Sequence, residues 1–140
     1  MIPDMADILL VEDNPGDVVL TRKALERATF HNRLTVVTDG EEAVRYLETV
    51  SPKPDLILLD LNLPKILGAE VLQHVKGSPV LRRIPVIVLT SSESDEDVLR
   101  SFDLLANSYV VKPGDFGQLL KMVEALEEWW FVVCRLPPKE

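Results

Sequence analysis

Glu12-Asp13, Thr38-Asp39, Asp60, Thr90 and Lys112 each stand directly after a short apolar run. Polar residues often follow strands, so each taken alone has an ordinary reading. A lone carboxylate caps a helix, a lone Thr ends a strand, and a lone Lys sits in water. The combination of types is what points to chemistry. Carboxylates brought together repel unless a cation neutralises them. Magnesium suits such a site, because it takes a few carboxylates and keeps positions for waters and phosphate oxygens. A Lys ammonium can hold a phosphate oxygen as a point charge, and a Thr hydroxyl can bond another. An Asp carboxylate can accept a phosphoryl group covalently. That transfer needs mainly positioning and neutralisation of spread charge.

The runs that carry these residues are Ile8 to Val11, Leu34 to Val37, Leu56 to Leu59, Val86 to Leu89 and Tyr109 to Val111. They are nearly continuous in Val, Ile and Leu and do not alternate. Strands covered on both faces read this way, which implies a parallel sheet between helices. Helical segments lie between them. Asn14 is a fitting N-cap, with Pro15 in the first helical position and Asp17 in the first turn. Val18, Thr21, Leu25 and Ala28 then share a face. Asp39 with Glu42 repeats the capping pattern ahead of Ala43, Leu47 and Val50. A third helix is expected around Ala69 to Val75, ending near Gly77 and Pro79. Ser94 with Asp97 opens a fourth, and Asp115 with Gln118 opens a fifth that runs through Leu119, Val123, Leu126 and Trp130.

Five β-α alternations predict a doubly wound α/β domain with right-handed crossovers and helices on both faces. Ligands in such sheets bind beyond the carboxyl ends of the strands, at the switch point of strand order. In the flavodoxin-like order 2-1-3-4-5, strands 1 and 3 meet there. Asp13 and Asp60 are then neighbours with Glu12 beside them, and Thr90 and Lys112 lie to one side.

Bulk properties narrow the function. The 140 residues fit one domain, and the 46% hydrophobic content is enough for one core. A net charge of −8 argues against a nucleic-acid module or docking on anionic lipid. Most of that acidity serves solubility. The single Cys134 excludes an internal disulfide. No signal peptide and no stretch of ~20 apolar residues is present, so a cytoplasmic location is expected.

Together, Ile8-Leu9-Leu10-Val11-Glu12-Asp13-Asn14, Asp55 to Pro64, Gly68, Ile84 to Thr90 and Ser108-Tyr109-Val110-Val111-Lys112-Pro113 resemble the response-regulator receiver family of two-component systems, over about residues 6 to 128. More narrowly, Asn14-Pro15-Gly16-Asp17, Leu81 to Pro85, Ala106 to Tyr109 and Glu128-Trp129-Trp130 are similar to the small regulators of bacterial phytochromes. The resemblance implies Asp60 as phosphoacceptor. It implies magnesium held directly by Asp13 and Asp60, by the backbone carbonyl of Asn62, and by Glu12 through water. It implies Thr90 and Tyr109 as a switch pair, Lys112 on the phosphoryl group, and a cis Lys112-Pro113 bond. It implies a sensor histidine kinase as partner and no turnover enzyme beyond self-catalysed phosphorylation and dephosphorylation. Leu67 and the Leu104-Leu105-Ala106 stretch depart from the family pattern, Asn107 standing in for a helix-ending Gly.

Other readings compete. An Asp-nucleophile phosphatase wants a second Asp two positions on, where Asn62 stands and cannot act as an acid. A flavodoxin needs a phosphate cradle after strand 1, where Glu12-Asp13 would repel phosphate. A degenerate receiver would bind partners without phosphorylation; the intact cluster argues against it, while Leu67 and Leu105 keep that reading open. His31 and His74 are read as surface or helix-flank residues, and Cys134 as a packing residue. Residues 1–128 form the expected domain, and 129–140 an extension of the fifth helix. No length remains for an output domain, so signalling by docking is expected. In a helix, Trp129-Trp130-Phe131-Val132-Val133-Cys134 places apolar side chains all around the axis, more than one inward face can cover. A homodimer through this end is expected, as in the regulators it resembles.

Overall fold

Strand positions here are set by which side chains two helical layers can cover. In the computed structural model, residues 5–28, 31–60, 68–90, 108–111 and 116–133 are described, with the backbone alone at 90, 108–111, 118 and 129–133. The elements are β1 (Ala6–Val11), α1 (Pro15–Glu26), β2 (Asn32–Val37), α2 (Gly40–Thr49), β3 (Leu56–Asp60), α3 (Gly68–Gly77), a 3-10 turn (Leu81–Arg83), β4 (Val86–Thr90), β5 (Ser108–Val111) and α4 (Phe116–Val133). The helix expected from Ser94 lies outside the described residues, so the fifth helix of the sequence is α4.

All strand pairs are parallel, in the order β2-β1-β3-β4-β5. This is the expected doubly wound arrangement. Successive strand residues point to opposite faces, and the core divides accordingly. Leu9, Val11, Ile57, Leu59, Val86 and Val88 pack with Ala43 and Leu47 of α2 and Val71, Leu72 and Val75 of α3. Ile8, Leu10, Leu56, Leu58 and Leu89 pack with Ala24 and Leu25 of α1 and Leu119, Val123 and Leu126 of α4. The apolar residues of α4 thus repeat at helical spacing on one side. Among the described residues, no helix is long and apolar enough to cross a membrane.

β1 and β2 begin earlier than the apolar runs suggest. Ala6 pairs with Asn32 and Asp7 with Arg33. Arg33 forms an ion pair with Asp7 at 2.7 Å, and the Asp7 N–H donates to Asp55 at 2.8 Å. These polar residues extend the ladder at the end of the sheet away from the acidic cluster. A hydrophobic count alone passes over them.

Candidate metal and phosphoryl site

The parallel register decides which acids meet. Val11 pairs with Leu59, so Glu12 and Asp60 stand one step past the last β1–β3 pair. Asp60 still belongs to β3 and pairs with Leu89 of β4. The Glu12 N–H continues the ladder to Val37 of β2 at 3.0 Å. Asp13 then leaves the sheet toward α1. One carboxylate oxygen from each of Glu12, Asp13 and Asp60 lies within 4.8 Å of the others. Glu12 is only 2% exposed and Asp60 4%, whereas Asp13 is exposed. The sheet edge therefore offers two sheltered carboxylates and one open to solvent.

α1 is held close to this cluster by its cap. Asn14 Oδ1 accepts the Asp17 N–H at 3.1 Å, Pro15 occupies the first turn, and the Asn14 carbonyl accepts the Val18 N–H at 3.0 Å. The Asn14 N–H donates to Glu12 Oε2 at 3.2 Å. The capping role is readable in the sequence. The bond back to Glu12 is not, because it depends on the angle at which the chain leaves β1. At α2, Asp39 accepts the Glu42 N–H at 2.7 Å, and Glu42 accepts from the Thr38 hydroxyl at 3.4 Å. Those two polar residues after β2 serve the helix start.

Thr90 ends β4 and pairs with Val111 of β5, and Tyr109 pairs with Val88. The Thr90 backbone therefore lies on the strand beside β3 and the Tyr109 backbone one strand further out, while their side chains fall outside the described atoms. Asn62, Leu67, Leu105, Asn107, Lys112, Cys134 and the Lys112-Pro113 bond lie outside the described residues. The described cis bond is Ser51-Pro52. The His31 carbonyl accepts the Ala6 N–H at the opposite end of β1. His74 of α3 meets Glu48 of α2 at 2.6 Å. Neither histidine belongs to the cluster of Glu12, Asp13 and Asp60. Burial lowers the pKa of Lys76, which bonds the Ile84 carbonyl at 3.4 Å ahead of β4.

A hard oxygen-donor trio at the switch point of a parallel sheet fits a divalent cation and a transferable phosphoryl group. The family model for the response regulator receiver domain matches residues 8–124. The chain belongs to the response regulator receiver family. It is 43% identical over 135 residues to the response regulator Rcp1 of Synechocystis, spanning 93% of this chain and 92% of that one. The phosphorylated cyanobacterial phytochrome response regulator RcpA superposes with a TM-score of 0.87 at 42% identity, covering 96% of this chain and 99% of that one. The Mn(2+)-bound form of Rcp1 gives 0.85 at 42% identity, covering 95% and 99%. As a receiver the chain is a phosphoryl-accepting signalling module, in a family that works with sensor histidine kinases. Its relatives include regulators of phytochrome signalling.

Proposed function

We propose that Asp60 takes the phosphoryl group from a phosphohistidine of a sensor kinase, and that magnesium is the cation of this site. The observation that carries the reading is the meeting of Glu12, Asp13 and Asp60 at one sheet edge. Asp13 and Asp60 would hold the ion directly, Asn62 through its backbone carbonyl, and Glu12 through water. When bound, the ion neutralises charge on the phosphoryl oxygens. An Asp60 oxygen forms the bond to phosphorus while the phosphorus–nitrogen bond breaks, and the donor imidazole keeps the electron pair. Burial of Asp60 at the end of β3, paired with β4, holds that oxygen in place, which is where positioning contributes. Lys112 would contact the phosphoryl group, and Thr90 with Tyr109 would couple it to the face formed by the helix expected from Ser94, β5 and α4. The phosphorylated and Mn(2+)-bound relatives support this chemistry. Magnesium titration followed by amide NMR tests the metal assignment. Shifts near 12–14 and 60–62 are expected, and unaltered binding by Asp13→Ala would move the site elsewhere.

The same reading extends to assembly. α4 reaches Val133, so Trp129-Trp130-Phe131 continue the same helix that packs on the sheet through Leu119, Val123 and Leu126. Trp and Phe are favoured interface anchors. Residues 129–140 then form the arm of a two-fold homodimer. Light scattering should give a dimer for the full chain and a monomer for a chain ending at Glu128. Equal dimerisation of both would reject the arm.

A further inference from the structure

Asn14 touches the acidic cluster and the helix beside it at once. Its N–H holds Glu12 Oε2 at 3.2 Å, its carbonyl receives Val18, and its Oδ1 caps the Asp17 N–H at 3.1 Å. A Cβ added at Gly16 would come within 3.2 Å of Asn14 Oδ1, so the capping oxygen would have to give by a few tenths of an ångström. Asp would cap as well as Asn, and a carboxylate at a helix N-terminus is favoured by the macrodipole. Helix stability alone therefore gives no reason to prefer the neutral amide. The neighbouring carboxylate does: Glu12 is buried, and a second anion two residues on would add to the charge of the cluster.

We propose that Asn14 is a positioning and charge-setting residue: it fixes Glu12 and α1 together while keeping the fourth residue of the rim neutral, and so sets magnesium affinity against access for an anionic phosphodonor. The inference rests on the phosphorylation reading above. An added carboxylate strengthens attraction for the cation and repels the donor, and both effects weaken with salt. A neutral cap avoids both. Asn14 is not a catalytic residue, since it acts through Glu12 and α1.

The test compares the full chain with Asn14→Asp, Asn14→Ser and Asn14→Ala. Thermal unfolding, magnesium titration by amide NMR, and the phosphorylation rate with acetyl phosphate are each measured at low and high salt. Asn14→Asp should unfold within a few degrees of wild type. It should bind magnesium roughly three- to tenfold more tightly and, at saturating magnesium, take phosphate several-fold more slowly at low salt. Both differences should shrink at high salt. Asn14→Ser, which keeps a neutral cap, should restore wild-type affinity, and Asn14→Ala should lower thermal stability. Equal affinity and equal rate in Asn14→Asp and wild type would overturn the proposal. So would a slow Asn14→Ser variant, because neutrality and capping would then not suffice. Failure of wild type to bind magnesium or accept phosphate would instead overturn the underlying site assignment.

Discussion

Replacing Asp13 with Asn should stabilise the metal-free protein and abolish its response to magnesium. The three carboxylates place oxygens within 4.8 Å of one another. Two unit charges at that distance repel by about 3.5 kcal/mol at an effective dielectric of 20 and by about 0.9 kcal/mol in water. Asp13 is exposed, so the water value applies to it, giving about 2 kcal/mol from two neighbours before screening. Against this, Asp13 lies beside the N-terminus of α1, whose macrodipole favours a negative charge by about 0.3–1 kcal/mol. The net gain in Asp13→Asn is about 1 kcal/mol at low salt, or roughly 3 °C in Tm for a domain of this size. Magnesium at ten times its Kd stabilises wild type by about 1.4 kcal/mol. The order of the two melting curves should therefore reverse as magnesium is added. Calorimetry across a magnesium series would show it. A metal-free Asp13→Asn less stable than wild type, or one that gains equally from magnesium, would refute the reasoning.

Leu58 is fully buried between β1, β4 and the α1–α4 layer, so Leu58→Ala should cost about 2–5 kcal/mol in denaturant unfolding. Lys76 has its pKa lowered by burial, so near and below 10.5 the unfolded chain binds more protons than the folded one and stability rises with pH there. Lys76→Met should be more stable than wild type at neutral pH, with the difference in Tm narrowing as pH approaches 10.5; a constant difference would show that the charge is not what burial penalises.

Much of this architecture is legible in residue types. Uninterrupted Val-Ile-Leu runs announce strands covered on both faces, and the clusters on either side of Leu58 and Leu59 show why: the apolar residues of β1 and β3 meet helices on both faces of the sheet. Asn14 and Asp39 mark helix starts because each side chain must satisfy a free N–H, which both do. The meeting of Glu12, Asp13 and Asp60 follows from strand order plus the rule that ligands gather at carboxyl ends. Less legible is whatever depends on exact register or exit angle. Asp7, Asn32 and Arg33 join strands through polar partners that no apolar pattern reveals. Lys76 looks like a solvated charge until the chain after the turn at Leu81–Arg83 brings the Ile84 carbonyl to it. The Asn14–Glu12 bond arises from three-dimensional closure of the β1–α1 turn.

Incubation with magnesium and acetyl phosphate, followed by peptide mapping by mass spectrometry, tests the central claim most directly. One phosphoryl group should appear on the peptide containing Asp60, depend on magnesium, and vanish in Asp60→Asn, whose amide is no nucleophile toward phosphorus. Undiminished labelling of Asp60→Asn, with the phosphate mapped to another residue in both proteins, would contradict it.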